Sequence, residues 1–123
     1  MKATGIDHVV FVVSDLEATV RWWQSLLDVE VERLDQWRRK EVIFASLRID
    51  PTTIIDLFEG EPEPGRIGHV ALLVDDADLA SVAARDDLDV EMGVTSLWGA
   101  QGDGSGIYLR DPDGNRVELR VYD

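Results

Sequence analysis

Two histidines, an aspartate and a glutamate carry the chemistry this chain offers. His8 opens the run Ile6-Asp7-His8-Val9-Val10-Phe11-Val12-Val13, and His69 opens Ile67-Gly68-His69-Val70-Ala71-Leu72-Leu73-Val74. They lie 61 positions apart and are the only 2 histidines in the sequence. Asp50-Pro51 and Asp111-Pro112 repeat at the same offset, and Ile55-Asp56-Leu57 corresponds to Val117-Glu118-Leu119 at offset 62. One extra residue in the second turn, most simply Gly114, accounts for the change. An internal duplication therefore supplies one imidazole and one later carboxylate in each half. Two imidazoles with two carboxylates suit a divalent ion: Zn, Ni, Co, Mn or Fe(II). Two histidines with a single carboxylate form the facial triad of non-haem iron.

Strand and helix periodicities position these residues. Residues 6 to 13 form a valine-rich run of the kind a buried strand shows. Ser14 and Glu17 fit a capping box, so a helix is expected from there, with Leu16, Val20, Trp23 and Leu27 on its core face. Strand-like segments follow near Glu30 to Leu34, Glu41 to Leu47 and Thr53 to Phe58. After a Pro- and Gly-punctuated linker the pattern restarts. A strand is expected over 67 to 74 and a helix from Asp75 to about Asp87. Strands then follow near Val90, at Gly106 to Arg110 and at Asn115 to Val121, the last two joined by the tight turn Asp111-Pro112-Asp113-Gly114. Each half thus reads strand, helix, three strands. Alternation along a strand puts Val9, Phe11 and Val13 against the helix and His8 on the opposite face. It likewise sets Arg116, Glu118 and Arg120 opposite Val117, Leu119 and Val121, and Asp56 opposite Ile55 and Leu57. All four candidate ligands fall on the face away from the helices.

Composition narrows the partners. At 123 residues the chain holds one domain with a real core. A net charge of −13 repels phosphate backbones and anionic lipid, so neither nucleic acid nor membrane is an expected partner. With 0 cysteines, thiolate metal sites and disulfides are excluded. No apolar run approaches the roughly 18 residues needed to span a bilayer. Asp7 and His8 interrupt any signal-like apolar stretch, which makes the cytoplasm the expected location.

The chain resembles the vicinal oxygen chelate superfamily, which includes glyoxalase I, bleomycin-resistance proteins, extradiol dioxygenases, fosfomycin-resistance enzymes and methylmalonyl-CoA epimerase. The carriers are Ile6-Asp7-His8-Val9 with Ser14-Asp15-Leu16-Glu17, Gly68-His69-Val70-Ala71, and above all the stretch from Tyr108 to Leu119. The run from Arg39 to Phe44, with Gly99-Ala100, looks most like small glyoxalase-domain proteins of unassigned substrate. The resemblance covers nearly the full length and implies an α+β fold. Two tandem βαβββ modules, about 5–60 and 67–123 with a linker at about 60–66, would form a curved mixed sheet around a metal cup. It implies metal ligands at His8, Asp56, His69 and Glu118, a small-molecule substrate and a homodimer. Asp56 departs from the usual glutamate and is shorter by about 1.5 Å. It reaches the ion through water or leaves a three-ligand site. Glu59 is a poor substitute because it has the other strand parity.

The chemistry the resemblance implies is chelation of two neighbouring substrate oxygens, with the ion as Lewis acid stabilising enolate-like charge. In a lyase or isomerase a carboxylate moves the proton; Glu118 is the first candidate and Asp56 the second. An extradiol Fe(II) dioxygenase is the alternative, weakened because no third histidine remains, although Tyr108 could serve. A metal-free drug- or metabolite-binding protein of the bleomycin-resistance kind is the other alternative. Substrate contacts are expected from Tyr108, Trp98 and Arg39. Arg39 belongs to the cluster Arg38-Arg39-Lys40, which is either a carboxylate site or a solvated patch. The glycines from Gly99 to Gly106 do not make a phosphate cradle, because no helix follows them, and read instead as a mobile loop over the cup.

Overall fold

The computed structural model describes residues 4–63, 68–75 and 78–122. The chain divides into two compact units, Met1–Glu63 and Pro64–Asp123. Ile67, where the second strand is expected to begin, lies outside the described residues, as do Gly65 of the linker and Asp76 and Ala77 of the second helix.

The first unit contains β1 (His8–Val13), α1 (Leu16–Leu26), β2 (Glu30–Glu32), α2 (Leu34–Arg38), β3 (Phe44–Asp50) and β4 (Thr53–Glu59). Its strands lie in the order β1-β4-β3-β2, with β1 parallel to β4 and the other pairs antiparallel. The second unit contains β5 (Val70–Leu73), α3 (Leu79–Ala83), β6 (Asp89–Gly99), β7 (Gly102–Arg110) and β8 (Arg116–Val121). Its order, β5-β8-β7-β6 with β5 parallel to β8, repeats the first. The architecture is α+β, with two modules each built on a four-stranded mixed sheet.

Each sheet buries an apolar face. In the first unit Phe11, Val13, Ala45, Leu47, Ile55 and Leu57 are buried together with Leu16, Val20 and Trp23 of α1. Every fully buried large side chain of this kind contributes about 1.5–3 kcal/mol over its exposed state. In the second unit the buried set is Leu79, Ile107, Leu109, Val117 and Leu119. The hairpin turns use the same device twice. Asp50 Oδ1 accepts from the Thr52 backbone N–H at 2.9 Å. Asp111 Oδ1 accepts from the N–H groups of Asp113 at 3.0 Å and Asn115 at 2.7 Å. Gly114 supplies the positive φ of 83° that the second turn needs.

Several local expectations are corrected. The cap of α1 is Asp15, not Ser14: Asp15 Oδ1 accepts from the Ala18 N–H at 3.0 Å. The next N–H, that of Leu16, donates to Glu59 Oε2 at 3.0 Å, so the end of β4 ties down the start of α1. We expect Asp15→Ala to cost about 1 kcal/mol in urea unfolding and Asp15→Asn to retain most of that. The segment expected as a strand through Leu34 stops at Glu32. Arg33 takes a left-handed φ of 70° and α2 begins. The second helix is one short segment, Leu79–Ala83, capped by Asp78 Oδ1. β6 is far longer than the piece expected near Val90. The stretch read as a glycine-rich loop is a tight hairpin: Gly99 pairs with Gly102, and Gly104 and Gly106 lie within β7.

Candidate functional site

On the face of the first sheet away from α1, the register lays out three adjoining rows. His8 stands beside Ile54 and Arg48, Val10 beside Asp56 and Ser46, and Val12 beside Phe58 and Phe44. Asp56 is 6% exposed, and its Oδ1 accepts a hydrogen bond from Ser46 Oγ at 2.6 Å. That bond fixes the shorter carboxylate and occupies one of its oxygens. His8 lies at the exposed edge of the face. Its Nδ1 sits 2.9 Å from Asp7 Oδ2. The hydrogen bond to Asp7 raises the imidazole pKa, opposed by partial burial and helped by the charges of Asp56 and Asp7. In the neutral tautomer that donates Nδ1–H to Asp7, Nε2 keeps its lone pair for a ligand, the arrangement second-layer carboxylates impose on metal-binding histidines.

In the second unit the corresponding pair is drawn closer. His69 Nε2 lies 3.5 Å from Glu118 Oε1, and Glu118 is 3% exposed. Tyr108 pairs directly with Glu118 across β7 and β8, and its ring meets His69 edge-on at 5.2 Å. Burial, and then the hydrogen bond and charge of Glu118, raise the Tyr108 hydroxyl above the ordinary phenol range. It stays protonated and able to donate.

The other oxygen of Glu118 is claimed by a residue to which the sequence assigned no role. Arg120 Nη1 donates to Glu118 Oε2 at 3.0 Å, and both side chains are buried. The same guanidinium donates through Nη2 to the Leu97 carbonyl at 3.0 Å and through Nη1 to the Trp98 carbonyl at 3.3 Å, and it lies 4.6 Å over the Tyr122 ring. Its Nε is buried without a partner among the described residues. Glu118 thus has two distinct oxygens: Oε2 bound by Arg120, and Oε1 turned to His69. Strand parity put Arg120 on the same face as Glu118, two residues on. The glycines that give it room were the further signal.

The donor set fits a divalent ion by type, since each unit offers one imidazole and one buried carboxylate on the same sheet face. Among the described residues, no group of three or more histidine and carboxylate side chains gathers within either unit. Trp98 is 80% exposed at the end of the β6–β7 hairpin. Arg39 is engaged by Glu41 in a surface pair, with Nε at 3.1 Å from Oε1 and Nη2 at 3.2 Å from Oε2. Among the described residues, no helix is long and apolar enough to cross a membrane.

Comparison with known proteins adds the following. Residues 5–119 match the model of the Glyoxalase/Bleomycin resistance protein/Dioxygenase superfamily. The chain is 31% identical over 121 residues to virulence protein STM3117 of Salmonella typhimurium, covering 95% of this chain and 83% of the relative. The crystal structure of that protein superposes with a TM-score of 0.76 at 27% identity, covering 100% of both chains. Glutathione transferase FosA of Serratia marcescens is 25% identical over 121 residues, covering 95% of this chain and 80% of the relative.

Proposed function

The chain belongs to the glyoxalase/bleomycin resistance protein/dioxygenase superfamily, and from that premise we propose that it is a divalent-metal-dependent lyase or isomerase acting on a small metabolite with two neighbouring oxygens. The proposed ligands are His8 and Asp56 from the first unit and His69 and Glu118 from the second. Zn, Ni, Co, Mn or Fe(II) suits this set, and the ion would supply Lewis acidity to the substrate oxygens. The observation that carries the reading is the approach of His69 Nε2 to Glu118 Oε1 at 3.5 Å, with the second carboxylate oxygen held elsewhere.

The chain's own residues divide the remaining work. Glu118 is the proposed base that takes a proton from the carbon next to a carbonyl, with Asp56 second. Arg120 orients Glu118, and Ser46 orients Asp56. Tyr108, kept protonated, would donate to an anionic substrate oxygen. The protein is taken to work as a cytoplasmic homodimer; a monomer mass by light scattering across micromolar concentrations would count against the dimer.

Metal uptake tests the proposal. Metal-free protein dialysed against Ni, Zn, Mn and Fe(II) is expected to take up one of them stoichiometrically by elemental analysis. His8→Ala and His69→Ala should each lower that uptake. No uptake by the wild type from any of the four would sink the reading. Oxygen consumption with catechols is expected to be absent; its presence would favour the extradiol dioxygenase. The buried Arg120–Glu118 pair favours one second reading, a metal-free metabolite-binding protein, because the guanidinium already neutralises the best-placed carboxylate.

A further inference from the structure

An uncompensated cation stands beside the candidate face of the first unit. In a chain of net charge −13 the described arginines are mostly paired with acids. Of the acids close to Arg33 in sequence, Glu32 and Asp35 are already taken by other arginines. Glu32 binds Arg48, with Oε2 at 2.7 Å from Nε. Glu17 and Asp35 bind Arg38, and Glu41 binds Arg39. Among the described residues no acid pairs with Arg33. The same holds for Arg21 and Lys40, but those two are exposed, whereas Arg33 is half-buried. Its guanidinium carbon lies 4.1 Å from the centroid of the Phe44 ring.

The surroundings form an ordered strip. Phe44 and Phe58 stack at 5.0 Å and 20°. That separation is close to the strand spacing of about 4.8 Å, so the rings stand side by side across β3 and β4. Val12, 41% exposed, continues the row on β1, and Arg33 ends it beyond Phe44. The row adjoins the one that holds Ser46, Asp56 and Val10, two residues or roughly 7 Å along the strands. From β4 to the position beyond β3 is two strand spacings, roughly 10 Å. One face therefore carries a buried carboxylate, an apolar aromatic wall and a guanidinium that no acid among the described residues pairs with.

We infer that Arg33 binds the anionic group of the substrate, whose flat apolar body lies along Phe44 and Phe58 while its oxygen donors lie toward Asp56 and His8. The inference rests on the proposed function for the far end of the substrate and on Arg33 alone for the near end. It assigns the substrate class: an apolar or aromatic acid, reaching across two strand spacings and about 7 Å along the strands, or roughly 12 Å between the positions of Asp56 and Arg33. Guanidinium groups suit this task because they stack on rings and still present N–H donors at the edge to a carboxylate or phosphate.

Calorimetric titration of the full chain with 3-phenylpropanoate, 2-phenylethylphosphonate and the neutral 3-phenylpropanamide tests this. Both anions should bind more tightly than the amide, and the tighter anion identifies the headgroup. Arg33→Gln should weaken the anions by roughly tenfold or more and leave the amide unchanged, as expected for a lost charge-assisted hydrogen bond. Arg33→Lys should keep part of the preference for anions, Phe44→Leu should weaken all three ligands, and Arg21→Gln should change none. Equal binding of amide and anions, absence of binding by all three, or anion affinity unchanged in Arg33→Gln would overturn the inference. Circular dichroism of both Arg33 variants separates loss of the contact from loss of the fold. If both unfold, the wild-type preference for anions over the amide decides alone. The titrations are run on chelator-treated and on metal-loaded protein. An Arg33-dependent anion preference without metal uptake removes the metal reading and keeps this one; metal uptake without that preference does the reverse.

Discussion

Glu118→Ala is expected to lower the unfolding free energy by about 3–5 kcal/mol, the cost of stranding one partner of a buried ion pair. Glu118 and Arg120 are 3% and 6% exposed. With the carboxylate gone, the guanidinium keeps only the carbonyls of Leu97 and Trp98 and the Tyr122 ring, and its Nε already lacks a partner among the described residues. Water cannot reach the vacated position freely, so the charge stays uncompensated. Glu118→Gln retains shape and an acceptor oxygen and should cost clearly less. Pairing Glu118→Ala with Arg120→Met should recover much of the loss, because replacing both members of a buried pair by apolar groups is often neutral or stabilising. Urea unfolding of the four proteins, in chelator, measures the coupling as a double-mutant cycle. A loss below about 1 kcal/mol for Glu118→Ala would mean that the pair is solvated and that the division of labour between the two oxygens fails.

Much of the fold was legible because duplication multiplies weak signals. One valine-rich run beginning at a histidine says little; two, each followed by a helix-capping acid and each closing on an Asp-Pro turn, fix the module and its copy number. Parity then sorted the faces, since a one-residue slip would have exposed Phe11, Leu57 and Leu119 and buried His8. Local punctuation was harder to read. Ser14 and Asp15 are both good caps, and only the β1–α1 geometry selects Asp15. The break at Arg33 is invisible in composition, because a non-glycine residue with φ of 70° is set by its surroundings and not by residue type.

The sequence pointed to the candidate residues of the site and not to what supports them. Repeat and parity named His8, Asp56, His69 and Glu118, but neither says what holds a carboxylate. Ser46 and Tyr108 occupy equivalent cross-strand positions, opposite Asp56 and opposite Glu118. They differ so much in size that the equivalence cannot be recognised without the register. Arg120 has no counterpart in the first half, where Phe58 stands two residues after Asp56. The duplication has therefore diverged at the residue next to each carboxylate: a guanidinium anchors one, and an aromatic wall flanks the other. The two halves carry different side chains at matching places on the same scaffold.

Glycine in a strand ordinarily weakens it, which is why the run from Gly99 to Gly106 read as a loop. Gly104→Ala is the experiment that shows why it is a strand. A methyl group on Gly104 would lie 2.5 Å from the Val121 carbonyl oxygen and 3.1 Å from both Arg120 Nη2 and Tyr122 Cδ1. The first of these is backbone, so no rotamer change relieves it; β7 and β8 must separate. The expected cost is about 1–3 kcal/mol, the range for overpacked sites. Because the strand shift also displaces Arg120 from the carbonyls it binds on β6, the Glu118 carboxylate should lose its anchor in the same variant. Gly106→Ala meets the flexible Leu97 Cδ1 at 2.9 Å and backbone only at 3.3 Å, so it should cost less. Gly93→Ala meets nothing within 4 Å and should fall within about 0.5 kcal/mol of the wild type. Urea midpoints for the three variants should rank in that order. The Arg120 Nε–H resonance by NMR should move most in Gly104→Ala. If Gly104→Ala proves as stable as Gly93→Ala, the glycines of β7 are not there to seat Arg120, and the strand owes its path to something else.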